Sequence, residues 1–293
     1  MFDGFEVHYV VTPEATIRAR IGGKGPGLLL LHGNPQTHMM WHRIAPKLAE
    51  RFTVVAADLR GYGESSKPAT SPDHEPYSKR AMARDQVAVM RHFGFEDFAL
   101  VGHDRGGRVA YRLALDHPKR VKRLAVLDIV PTYEHYRRTD MAFAMAYWHW
   151  FFLPQPAPIP EAIIGADPRA YFARNWPGAA EPPEFFAPEA LADYWRAFQD
   201  PETVHAICED YRAAATFDYR LDAADLGMRR IVCPLLVLWG EKGIIGALYD
   251  PVAIWRDWAD AVEGRAIESG HYLAEENPAA TLAALEPFLV GGN

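Results

Sequence analysis

Short apolar runs bounded by turn residues recur along the chain up to Pro131. Residues 5–20 alternate loosely and predict two antiparallel strands joined at Thr12-Pro13. Leu28-Leu29-Leu30-Leu31 predicts a buried strand closed by His32-Gly33-Asn34-Pro35. Phe52–Ala57 predicts the next, leading into Asp58-Leu59-Arg60-Gly61-Tyr62-Gly63-Glu64-Ser65. An amphipathic helix is expected over 78–94, then a strand over Phe98–Val101 and a helix over Val109–Leu115 that ends near His117-Pro118. Val121–Leu127 is a further strand, closed by Asp128-Ile129-Val130-Pro131. Strands alternating with helices imply an α/β fold, a mostly parallel central sheet flanked by helices.

The pattern then changes. From Tyr133 to Leu226 the residues read as helical, broken by prolines and aromatic, with Trp148, Trp150, Trp176 and Trp195 among the eight tryptophans of the chain. Strand character returns at Leu235–Gly240. It is followed by a helix over Val252–Ala259, a short strand at Arg265-Ala266-Ile267 and a last helix over Pro278–Leu289. The expected organisation is a core in two parts, 1–132 and 227–293, with an inserted helical cap at 133–226.

The 293 residues suffice for one large domain with such an insertion. A formal charge of -7 with no Lys/Arg block argues against a nucleic-acid partner, and means that an anionic substrate must be drawn by local cations. Cys208 and Cys233 make no disulfide framework and read as small buried residues. The start of the chain lacks a basic region followed by an apolar stretch, and Leu28–Leu31 is too short to span a bilayer. The expectation is a cytoplasmic protein without a membrane partner.

The stretch Val101-Gly102-His103-Asp104-Arg105-Gly106-Gly107-Arg108 carries the chemistry. A strand, a Gly-flanked turn and a helix form the context of the nucleophile elbow, but the central residue is Asp104 where a serine hydrolase has its serine. A carboxylate is a poor acyl nucleophile. It is adequate for displacing a leaving group from saturated carbon, which gives an enzyme ester that water cleaves. Asp104 therefore points to alkyl halides or epoxides. Arg105 and Arg108, three apart at a helix start, share a face beside it and can clamp a carboxylate. That suits a 2-halo acid, whose reacting carbon adjoins its carboxylate, better than a neutral haloalkane or epoxide. Arg112, one turn on, reads as an exposed arginine paired with the acidic surface.

His271, in the loop after the last strand, is the candidate base; His32 and His103 read as braces for backbone. The acid that orients His271 is either Asp128 or, as a fallback, Glu241 after Trp239-Gly240. Gly61-x-Gly63 lacks the third glycine of a dinucleotide fingerprint and reads as a loop. His38 and His42 have no third ligand and read as an ordinary helix face, so neither metal nor cofactor is expected.

Elbow, cap and late histidine together make the chain resemble the α/β-hydrolase superfamily over essentially its whole length. Asp104-Arg105-Gly106-Gly107-Arg108, Asp128-Ile129-Val130-Pro131-Thr132-Tyr133, Tyr147-Trp148-His149-Trp150, Gln155-Pro156-Ala157-Pro158 and Asp210-Tyr211-Arg212 resemble the fluoroacetate dehalogenases. The resemblance implies hydrolytic dehalogenation of a short 2-haloacid such as fluoroacetate or chloroacetate, through an aspartyl ester. It favours Asp128 as the acid, and implies a halide pocket of His149, Trp150 and Tyr211 and a homodimer. Tyr147 and Trp148 are read as core. Asn34, where those enzymes usually carry an aromatic, either adds a polar contact near the halide or faces its own turn; its backbone N–H with that of Arg105 is the expected oxyanion hole. The alternatives are an epoxide hydrolase, which shares Asp104, Asp128 and His271 and would use Tyr147 and Tyr211 as acids, and an idle scaffold serving as a small-molecule receptor.

Overall fold

The computed structural model describes residues 1–176 and 181–291. Eight strands, β1 (Glu6–Val11), β2 (Thr16–Gly22), β3 (Gly27–Leu31), β4 (Thr53–Ala57), β5 (Phe98–His103), β6 (Val121–Leu127), β7 (Leu235–Gly240) and β8 (Val262–Ile267), form one sheet in the order β1-β2-β4-β3-β5-β6-β7-β8. The first two are antiparallel to their neighbours and the rest are parallel. Central strands are buried on both faces. Leu28, Leu29, Leu30 and Leu31 are fully enclosed, each stabilising the fold by roughly 2 kcal/mol over an exposed side chain. At the edge, β1 exposes most of its residues.

Register aligns the carboxyl ends of the parallel strands. Leu31 pairs with Gly102, His103 with Leu127, Leu127 with Leu238, and Gly240 with Ile267. The loops that carry Asn34, Asp104, Asp128 and His271 therefore leave the sheet along one edge, where ligands bind in open α/β sheets.

One boundary differs from the sequence reading. The helix after the elbow starts at Asp104 and runs to Asp116, so Gly106 and Gly107 lie in its first turn. These glycines let backbones approach. A Cβ on Gly106 would sit 2.5 Å from the carbonyls of Leu31 and His32, and one on Gly102 would sit 2.5 Å from the Gly106 oxygen. The last strand is also longer than expected, since its outward residues Glu263 and Arg265 hide its period.

Among the described residues, the segment between β6 and β7 contains helices, from Thr132–Arg137 to Tyr219–Asp225, and no strand. No described helix is long and apolar enough to cross a membrane. Cys208 and Cys233 are free and buried.

Candidate active site

Asp104 follows directly on β5 with φ +43°, a left-handed conformation that an elbow imposes and that aspartate tolerates better than most side chains. The turn presents its carboxylate to a small cavity, and Oδ2 accepts the backbone N–H of Asn34 at 2.9 Å. Burial by itself would raise its pKa. The charges of His271, Arg105 and Arg108 outweigh burial and hold it below the ordinary carboxylate value, so the group is ionised at neutral pH.

His271 borders the same cavity. Its Nδ1 lies 2.6 Å from Asp128 Oδ2, while Asp128 Oδ1 accepts the Gly240 N–H at 2.9 Å. Asp128 also adopts a left-handed φ, +54°, at the end of β6. Of the two acids considered, Asp128 is thus the one beside His271, and Glu241 is exposed to solvent. Burial pulls the His271 pKa down, but the bond to Asp128 and the charges of Asp128 and Asp104 raise it overall.

His32 and His103 hold backbone, as expected. His32 accepts the Leu59 N–H at 3.0 Å, and His103 Nε2 lies 2.7 Å from the His271 carbonyl. His38 and His42 take separate partners, Asp58 and the Met39 carbonyl.

The cavity measures about 130 Å³ and is bordered by Asp104, His271, Asn34, His149 and Tyr211. It falls well below the roughly 300–1,000 Å³ of pockets for larger ligands. Burial lowers the His149 pKa well below its ordinary value, leaving a neutral ring with one N–H to give. Trp150 is buried behind this wall, with its ring 5.9 Å from that of Tyr211. Asn34 Oδ1 is buried with no partner among the described residues, so its side chain is not spent on its own turn.

Arg105 and Arg108 are buried beside Asp104 but one layer behind the cavity wall. The Arg105 guanidinium lies 4.0 Å from the Tyr211 ring centre, and that of Arg108 lies 4.4 Å from the Trp150 ring centre. Arg105 donates to Asp210, and Arg108 donates to the Val130 carbonyl at 3.0 Å. Arg105 Nη1 and Arg108 Nε are buried and have no partner among the described residues.

Two sequence readings need correction. Arg112 pairs with acids, but it is buried, hydrogen-bonded to Asp116 at 3.0 Å and ion-paired with Asp225 at 2.7 Å; the second partner arrives from a distant helix and covers it. Trp148 is not core: it is exposed and borders the cavity, while Tyr147 is half-buried, packs against the core as expected and borders the cavity as well. Arg174, Asn175 and Tyr272 also border it and had not been singled out. Tyr272 had a signal, since it follows His271. Arg174 and Asn175 had none, because the fold alone brings that part of the chain to the sheet edge.

A carboxylate on an elbow, a histidine–aspartate pair and a helical segment inserted between β6 and β7 agree with a hydrolase of the α/β class, and the α/β hydrolase fold family matches residues 26–278. A fluoroacetate dehalogenase of a Burkholderia species is 49% identical over 292 residues, covering 99% of this chain and 95% of the relative. A soluble epoxide hydrolase of a Corynebacterium species is 32% identical, covering 95% and 91%. A solved structure from a Nostoc species, described as an α/β hydrolase, superposes with a TM-score of 0.96 at 56% identity and covers 99% of this chain and all of its own. The chain belongs to the fluoroacetate dehalogenase family of the α/β-hydrolases.

Proposed function

We propose that the protein hydrolyses short 2-haloacids, converting fluoroacetate or chloroacetate to glycolate and halide. The observation that carries this reading is Asp104: an ionised carboxylate at the elbow, with two buried guanidinium groups beside it that each keep a donor open. The 49% identity to a fluoroacetate dehalogenase supports it.

In this reading an Asp104 oxygen attacks the halogen-bearing carbon in line, and the C–halogen electron pair leaves with the halide. His149, Trp150 and Tyr211 donate N–H and O–H groups to the departing ion. Arg105 Nη1 and Arg108 Nε grip the carboxylate and fix the carbon for attack; seating it there extends the cavity past its present wall. Water then gives a proton to His271 Nε2, and its oxygen adds to the Asp104 ester carbonyl. The Asn34 N–H, already on Asp104, stabilises the oxyanion with that of Arg105. Collapse expels glycolate, whose alkoxide takes the proton back from His271, and the carboxylic acid left on Asp104 loses its own to solvent. Forming the ester removes one of the carboxylates that raise the His271 pKa, so the ring is more easily neutral when it must act as a base. Residues 133–226 serve as the cap that closes the site. A cytoplasmic homodimer is the assembly this family implies.

Ion-selective measurement of fluoride and chloride release from the two haloacetates tests the reading, with styrene oxide as control. Tyr147 and Tyr211 both border the cavity, as an epoxide hydrolase would require. Diol formation without halide release would favour that second reading. Arg108→Gln should raise KM for chloroacetate by about 10- to 100-fold, the value of one charged hydrogen bond to a carboxylate. An unchanged KM in steady-state chloride release would remove Arg108 from the grip.

A further inference from the structure

The helix Pro201–Ala213 carries two adjacent side chains with different surroundings. Tyr211 borders the cavity, whereas Asp210 is fully buried among three residues of the core. Arg105 donates Nε to Asp210 Oδ2 at 2.9 Å and Nη2 to Oδ1 at 2.6 Å, and Nη2 also reaches the Asp210 carbonyl at 3.1 Å. The Tyr62 hydroxyl donates to Oδ2 at 2.7 Å, and the Lys79 ammonium binds Oδ1. Asp218 accepts the Lys79 backbone N–H at 3.0 Å and balances that lysine's charge.

The fork fixes the guanidinium plane. Two parallel N–H···O bonds to one carboxylate leave Arg105 no freedom to rotate, and they use up Nε and Nη2. What remains is Nη1, buried and without a partner among the described residues. Without this anchor Arg105 would be drawn to the ionised Asp104 next to it in sequence. An Asp104–Arg105 pair would spend the nucleophile and the grip on each other.

We propose that Asp210 is a positioning residue for substrate binding. It holds Arg105 off the nucleophile with its Nη1 edge turned to the substrate's carboxylate. This inference rests on the haloacid reading above.

The test uses the full chain, with chloride release from chloroacetate and competitive inhibition by acetate, a carboxylate with no leaving group. Asp210→Asn should raise KM and the acetate inhibition constant together, by about tenfold or more, as expected when a misaimed group no longer holds the carboxylate. In an Arg105→Gln background the same change should raise either constant less than about twofold, because a residue acting only through Arg105 has nothing left to act on. A purely structural Asp210 would lower the melting temperature and the active fraction, leaving both constants alone; that result overturns the inference. So does an equal effect with and without Arg105. If Asp210→Asn does not fold, Tyr62→Phe removes one bond to Asp210 and should raise both constants by about two- to fivefold; unchanged constants overturn it. A wild-type enzyme that releases no halide from any haloacetate defeats the haloacid reading first, and is told apart by needing no variant.

Discussion

Replacing Asp104 with asparagine should lower chloride release from chloroacetate by about 10,000-fold or more, the scale at which removal of a nucleophile is felt. The change is nearly isosteric, and the amide can still accept the Asn34 N–H that holds the side chain at 2.9 Å. What it removes is the charge. Asp104 is ionised because His271, Arg105 and Arg108 overcome the cost of burying it, and no other carboxylate borders the cavity among the described residues. Heavy-oxygen water gives a second readout on the wild type: in a single turnover the label should enter Asp104 before it reaches glycolate. Wild-type turnover in the asparagine variant, or label passing straight into product, would mean that water and not Asp104 attacks the carbon.

The core was readable because its signals are local. Short, mostly apolar runs mark β3 to β7, and the turn after each strand names the residues at the ligand edge. Asp104 and His271 were found that way. Both Asp128 and Glu241 follow strands, and the sequence prefers Asp128 with Glu241 as the fallback; β-sheet register and the contact at 2.6 Å place Asp128 beside His271. Contacts closed over long separations were not readable. Arg112 looked exposed because Asp225 lies far down the chain, and Asp210 drew no notice as an anchor because Arg105 stands 105 residues before it. The glycines of the elbow were legible as a turn. Their use as places where Leu31 and His32 pass close to a helix requires three dimensions. Arg174 is the same kind of case, since nothing in its neighbours says that it ends beside His149.

Replacing His271 with glutamine should separate the two halves of the reaction. Attack on the carbon by Asp104 does not use His271 as a base, so one equivalent of halide should still appear rapidly. Ester cleavage needs a base, and turnover should then slow by about 100- to 10,000-fold. The stalled enzyme should carry an addition of about 58 Da on the peptide containing Asp104, the mass of an ester-linked acetic acid unit. The pH dependence follows from the signs of the two shifts. In the wild type Asp104 has a depressed pKa, held there against burial by His271, Arg105 and Arg108, so ester formation should persist below pH 3.8, the ordinary value for its type, for as long as the fold survives. The glutamine variant, which lacks the His271 charge, should lose its burst at a higher pH than the wild type loses ester formation. His271 has a raised pKa and must be neutral to act, so in the wild type the second step should fail first as pH drops, with ester accumulating under acid conditions. Rapid-quench halide measurement and intact-mass spectrometry across pH read both steps. A glutamine variant without a burst would place His271 in the attack on carbon, and a variant with a burst but no added mass would leave the covalent intermediate without support.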